Sequence, residues 1–212
     1  MTRADTKVVT PLSTIKVIVS DLYGVNLHRS EKAMLADFMA VSGLPAEDVS
    51  QAIKASGREA LKIGTISPEQ YVQQLNLHLG SKLAVEQVQE IWNRSLRADA
   101  TMVNLLHRLQ DQGYLIVLLS NLNAFDWLDG SKLGLAHFDN VLSYTAHMKK
   151  PDPRIFHLAM AVNGLAAASH LYIDDQQKNL DVAKSLGMEA VLFTGYDDLL
   201  TTLADFQISP GI

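Results

Sequence analysis

The chain has 212 residues, 48% of them hydrophobic and 19% charged, with a formal net charge of -5; that size holds one well-buried core with room for a small inserted lobe. Its Lys and Arg are scattered without a cluster that tracks a phosphate backbone, which argues against nucleic acid as a partner. It has no cysteine, no apolar run of the roughly 18 residues that cross a bilayer, and no apolar segment in the opening MTRADTKVVT, so it reads as a cytoplasmic protein away from membranes, without thiolate or disulfide chemistry.

Residues 1–14 read as a flexible tail. IKVIVS, residues 15–20, is too apolar to have a wet face, as expected of a strand in a parallel sheet. From about Ser30 to Arg97 the text is helical, with no apolar strand run. Ser30 caps a helix carrying Met34, Leu35 and Phe38, and Pro45 and Gly57 punctuate the stretch after it. Ser67-Pro68-Glu69-Gln70 is a capping box with proline at the first helical position, opening a helix through Leu75, and a further helix covers Val85 to Leu96. These signals predict a four-helix lobe over residues 30–97, inserted after the first strand into a core made of residues 15–29 and 98–212.

Beyond the lobe, Asp99 and Gly113 bracket a helix with Met102, Leu105, Leu106 and Leu109 on one face. Buried-type strands follow at 114–120, 140–144, 170–174 and 189–193, with a helix heading from Pro151-Asp152-Pro153 and another from Gln177 to Gly187. The alternation predicts an α/β fold with a doubly wound, mainly parallel sheet, whose ligands sit beyond the carboxyl ends of the strands.

Four pieces of chain stand at such ends: Asp21, Ser120-Asn121, Lys149-Lys150 and Asp174-Asp175. Singly each has an ordinary explanation as a helix cap, a turn acid or a solvated lysine. Gathered at one edge, they place three carboxylates in one pocket, where each pair at about 4 Å repels by roughly 4 kcal/mol at an effective dielectric of 20, so a cation is expected. Phosphoryl transfer uses such a group. Asp21 would attack phosphorus; Asp175, the backbone carbonyl of Tyr23 and Asp174, directly or through water, would hold Mg²⁺; Ser120 and Lys150 would neutralise developing charge. Asn121, Asn123 and Tyr23 are candidates for phosphate or substrate contact, Tyr23 equally being a pocket wall, and Asn179 for support of the metal acids. His28, Arg29, Arg58 and Lys62 are placed at the lobe entrance or on its helices, and Trp92 and Trp127 in packing. The seven histidines are dispersed and none makes a His-x-x-x-His pair, which argues against a histidine metal site.

SDLYGV, LLSN, KKPDPRIF and YIDDQQKNLDVAKSLGM, in that order between about Lys16 and Gly195, resemble the four signatures of the haloacid dehalogenase-like (HAD) hydrolase superfamily. The resemblance implies a Rossmann-like core under a helical cap of the C1 type. It also implies a Mg²⁺-dependent phosphatase forming an aspartyl phosphate on Asp21, acting on a small phosphorylated metabolite, as monomer or homodimer. The text looks closest to glucose-1-phosphatase-like sugar-phosphate phosphatases and the phosphatase domain of soluble epoxide hydrolases, so a sugar phosphate is the expected substrate class. One departure stands out: Tyr23 occupies the place where the family's phosphatases carry an acid/base aspartate. D-x-Y-G is instead characteristic of metal-independent 2-haloacid dehalogenases, and a catalytically impaired phosphate-binding or regulatory protein is a further alternative. The retained Asp174-Asp175 pair favours the phosphatase, because those dehalogenases carry a serine- and asparagine-rich segment there.

Overall fold

The computed structural model describes residues 14–127 and 133–211, so the expected N-terminal tail lies almost entirely outside the described residues. In chain order, β1 (Val17–Ser20) and a short β2 (Leu27–Arg29) precede five helices. These are α1 (Glu31–Ser42), α2 (Ala46–Ala55), α3 (Arg58–Lys62), α4 (Pro68–Leu79) and α5 (Val85–Arg94). Then come β3 (Leu96–Ala98), α6 (Ala100–Asp111), β4 (Leu115–Ser120), β5 (Asp139–Leu142) and α7 (Ser143–Ala146). The chain closes with α8 (Pro153–Ala161), β6 (His170–Asp174), α9 (Gln177–Ser185), β7 (Glu189–Leu192) and α10 (Tyr196–Asp205).

Five strands form one parallel sheet in the order β5-β4-β1-β6-β7. Alternate β1 side chains explain why both faces are dry. Ile18 joins a cluster with Leu105 and Leu109 of α6 and Leu203 of α10, while Val17 and Val19 pack with Phe156 of α8 and Leu180 of α9 on the opposite face. The chain steps outward from β1 to β4 and β5, then returns to the other side of β1 for β6 and β7. This reversal makes the carboxyl end of β1 the crevice of the sheet. Ser20 is in register with Leu118 and Ile173, so Asp21, Ser120 and Asp174 emerge on one edge.

Helix starts follow the expected caps. Ser30 accepts from the Ala33 N–H, Ser67 and Gln70 form the reciprocal capping box, and Asp99 accepts from the Thr101 and Met102 N–H groups. Three details differ from the sequence reading. The helical stretch contains five helices rather than four, because the single turn and a half of α3 fits between Gly57 and Gly64. β2 and β3 pair antiparallel at the root of that stretch, Leu27 opposite Ala98 and Arg29 opposite Leu96, so α5 stops at Arg94; with just Leu27 and Leu96 buried, the pair leaves no apolar run to read. The strand expected over 140–144 turns helical at Ser143.

The five helices enclose their own apolar cluster around Phe38, Tyr71 and Trp92, and one member comes from outside: Phe125, in the loop after β4, is 1% exposed. Its ring centroid lies 6.0 Å from that of Tyr71 and 5.5 Å from that of Trp92, and its carbonyl accepts from Gln89 Nε2 at 2.9 Å. Trp127, half-buried, packs against the sheet cluster. No helix among the described residues is long and apolar enough to cross a membrane. Truncation of the inserted ring, Phe125→Ala, is expected to cost about 3–5 kcal/mol in a urea unfolding titration, the range for emptying a buried phenyl site.

Candidate active site

The turn after β1 is built tightly around its own polar groups. Buried Asn26 donates through Nδ2 to the Asp21 carbonyl (2.5 Å) and to Ser20 Oγ (2.7 Å), while the Gly24 N–H reaches the Leu27 carbonyl at 3.0 Å. Gly24 has φ 84°, and a Cβ added to it would lie 2.2 Å from Asp175 Oδ2. Backbone and carboxylate approach each other here as no residue with a side chain allows. The turn aims Asp21 into the crevice: Oδ1 accepts from the Leu22 N–H (2.6 Å) and Ser120 Oγ (2.7 Å), and Oδ2 lies 2.9 Å from Lys150 Nζ.

Lys150 is buried, and its ammonium spends its donors on Asp21 Oδ2, Asp174 Oδ2 (2.7 Å) and the Leu119 carbonyl (2.9 Å). Asn121 holds the lysine's backbone from both sides, its Oδ1 accepting from the Lys150 N–H at 2.8 Å and its Nδ2 donating to the Lys150 carbonyl at 3.0 Å. Asp174 is saturated further by Asn179 Nδ2 at 3.0 Å, the Gln176 N–H at 2.7 Å and the Tyr172 hydroxyl. Asp175, beside it, is exposed.

Burial raises the Asp21 pKa to about 6, against the pull of Lys150 and with the Asp174 charge adding to the rise. Burial also pushes Asp174 upward, but Lys150 and the donors of Tyr172 and Asn179 outweigh it and leave the group below its ordinary range. Asp175 is raised by partial burial and the neighbouring Asp174 charge. One oxygen from each of the three carboxylates lies within 4.8 Å of the others. Hard oxygen donors at that spacing, with one ammonium shared between two of them, suit a divalent cation such as Mg²⁺.

Asp21, Tyr23, Ser120, Asn121 and Lys150 line a cleft of about 420 Å³, whose far wall carries Glu59 and Lys62 of the helical stretch. Tyr23, Lys62 and Asn121 also line a second cavity of about 310 Å³, together with Arg29, Arg58 and Asp126. Tyr23 is therefore a shared wall. Its hydroxyl is buried without a hydrogen bond of good geometry, and burial, reinforced by the Asp126 charge, pushes its pKa far above the usual phenol value. Asn123 is buried and ties the loop together: its Oδ1 accepts from the Phe125 N–H, and its own N–H donates to Asp126 Oδ2, both at 2.9 Å.

Asp21, Ser120, Lys150, Asp174 and Asp175 thus meet at one edge, and Asn179 donates to Asp174. Of the charged lobe residues, His28 is exposed beside Asp99 (3.6 Å), Arg58 pairs with Glu31 (3.1 Å) and Lys62 with Glu59 (2.9 Å). The Arg29 side chain is 6% exposed, with Nη2 2.5 Å from Asp126 Oδ1. Sequence reasoning passed over Asn26, Asp126 and Tyr172, whose importance comes from contacts across the fold that no local pattern announces. Gly24 did carry a signal, in the D-x-Y-G motif.

The family described as "Haloacid dehalogenase-like hydrolase" matches residues 30–193 of this chain. A sesquiterpene phosphatase, astK, of Aspergillus oryzae is 25% identical over 163 residues, covering 74% of this chain and 81% of the fungal one. The D-ribitol-5-phosphate phosphatase of Bacteroides thetaiotaomicron is 25% identical over 186 residues, 82% of this chain and 90% of its own. Among solved structures, a HAD family enzyme of the same bacterium in complex with magnesium and inorganic phosphate superposes with a TM-score of 0.73 at 24% identity, over 86% of this chain and 96% of that one.

Replacing Gly24 by Ala is expected to displace the Asp175 carboxylate and, through the left-handed backbone, to cost about 1–2 kcal/mol; a denaturant titration measures the loss, and a crystal structure of the variant the displacement.

Proposed function

Because the chain belongs to the haloacid dehalogenase-like hydrolase family, we propose that it is a phosphatase which passes the phosphoryl group of a small phosphorylated metabolite to Asp21 and then to water. The observation that carries this reading is the convergence of Ser120 Oγ, Lys150 Nζ and two further carboxylates on a buried Asp21. A carboxylate oxygen of Asp21 attacks phosphorus and the ester P–O bond breaks, the leaving oxygen taking a proton from solvent water. A water oxygen then attacks the same phosphorus and gives up a proton to solvent, the P–O bond to Asp21 breaks, and phosphate departs. Two phosphatases at 25% identity support this chemistry.

Each neighbour has one task. The Ser120 hydroxyl and the Lys150 ammonium fix the Asp21 oxygens for attack and lower the cost of charge gathering there. Asn121 keeps Lys150 in place through its backbone. Mg²⁺ would be held by Asp21, Asp175 and the Tyr23 carbonyl, with Asp174 behind them, and supplies neutralisation of phosphoryl oxygens facing carboxylates. The magnesium and phosphate complex of the Bacteroides structure supports that cofactor. Residues 30–97 act as a cap over the crevice, contributing Glu59 and Lys62 to its wall, and Tyr23, Asn121 and Asn123 face the substrate. The polar second cavity favours a sugar phosphate over an apolar ester, in keeping with the ribitol phosphate relative.

Tyr23 stays protonated across the working pH range, so it offers a hydrogen-bond donor and no base. Its place in the motif is what a 2-haloacid dehalogenase reading has in its favour. The three clustered carboxylates weigh against that reading, since without a cation they repel one another and the anionic haloacid.

Phosphate release from a panel of sugar phosphates is expected to require Mg²⁺, to stop with EDTA, and to fall at least about 10³-fold in Asp21→Asn. Halide release from 2-haloacids that persists in EDTA, or equal phosphatase rates in variant and parent, overturns the proposal. A second outcome concerns protons. Ionised Asp21 binds the metal and protonated Asp21 does not, so the melting temperature gained with Mg²⁺ is expected to shrink as pH falls through about 6; a pH series of thermal melts measures it.

A further inference from the structure

The smaller cavity beside the crevice is built around cations. Arg29 carries its guanidinium carbon 5.2 Å from the Tyr23 ring centroid and 5.2 Å from that of Trp92, and Arg58 lies 5.9 Å from the same Trp92 centroid. Two guanidinium groups therefore flank one buried indole. The buried anion among them is Asp126, and its oxygens are already committed to Arg29 Nη2, to Trp92 Nε1 at 2.6 Å and to the Asn123 N–H at 2.9 Å. Arg58 finds its ion partner at the cavity's open side, in Glu31, which lines the same space with its side chain 56% exposed.

Cations outnumber carboxylates in the cavity lining. Arg29 and Arg58 have buried Nε atoms with no acceptor among the described residues, and the Arg29 side chain is 6% exposed. Arg29, Arg58 and Lys62 line the space against Glu31 and Asp126, so it favours an occupant that brings negative charge. Leu27 is its single large apolar lining residue. An isoprenoid chain would meet charge on every side there, and a neutral polyol would leave the excess cation unbalanced.

We propose that the Arg29–Arg58 face is a carboxylate site, and that the metabolite is a phosphorylated hydroxy acid or sugar acid whose carboxylate is held by the two guanidinium groups while its phosphate lies at Asp21. The inference rests on the phosphatase reading of the neighbouring cleft. Tyr23, Lys62 and Asn121 line both spaces, and a cavity of about 310 Å³ admits an acid of a few carbons. A planar carboxylate matches the fork of a guanidinium, which a hydroxymethyl group does not.

The test compares two pairs of esters that differ in carboxylate against hydroxymethyl: glycerate 3-phosphate with glycerol 3-phosphate, and gluconate 6-phosphate with glucitol 6-phosphate. Binding is measured by calorimetry on Asp21→Asn, where no turnover intervenes, and phosphate release on the parent chain with Mg²⁺. In at least one pair the acid is expected to bind about ten- to a hundredfold more tightly, with the preference collapsing toward one in Arg58→Met, which keeps the stem over Trp92 and is checked by its thermal melt. Equal binding in both pairs, a preference for the hydroxymethyl esters, or a preference that survives Arg58→Met overturns the inference. Acid-selective binding without Asp21-dependent phosphate release supports the carboxylate site and removes the phosphatase reading.

Discussion

The structure depends on one buried ammonium. Lys150 stands between Asp21 and Asp174 with the Leu119 carbonyl as its third acceptor, and without it two carboxylates would share a dry crevice uncompensated. Buried ion pairs of this kind are poor sources of net stability, because desolvation offsets much of the attraction. What this one supplies is placement. The lysine fixes the relative position of strands β1, β4 and β6 at their carboxyl ends, and its own position is fixed by the two bonds from Asn121 to its backbone. The arrangement also divides labour between adjacent acids: Asp174 is consumed by structural donors, and Asp175 stays exposed and available.

Parallel strand order makes this economical. Every strand of the sheet ends on the same edge, so residues 21, 120 and 174 become neighbours without any long loop having to reach for them. The helical stretch then faces that edge across a cleft to which it contributes Glu59 and Lys62. Lys149 and Glu59 form an ion pair across it, one residue before the buried lysine.

Much of this was legible in the chain. Strands buried on two faces leave continuous apolar runs, and Ser30, Ser67 and Asp99 announce helices through hydrogen bonds that span three residues, so both kinds of element have local causes. Asp21, Ser120 and the acid pair were legible for the same reason, standing at or just past the ends of such runs, while Lys150 comes after β5 and the short α7. What escaped was set by distant partners. β2 and β3 owe their existence to each other, Asn121 serves Lys150 instead of simply facing ligand, and the burial of Arg29 is due to Asp126, almost a hundred positions away. A single sequence read locally has no term for such pairs.

The loop after β4 is shared property. Five positions separate Ser120, which touches Asp21, from Phe125, whose ring completes the core of the helical stretch. An engineer who transplants residues 30–97 from a relative, hoping to import a new specificity, would leave the graft with a hole where that phenyl belongs and the host with a tether fitted to the wrong socket. The exchangeable module is discontinuous, and residues 121–127 travel with it.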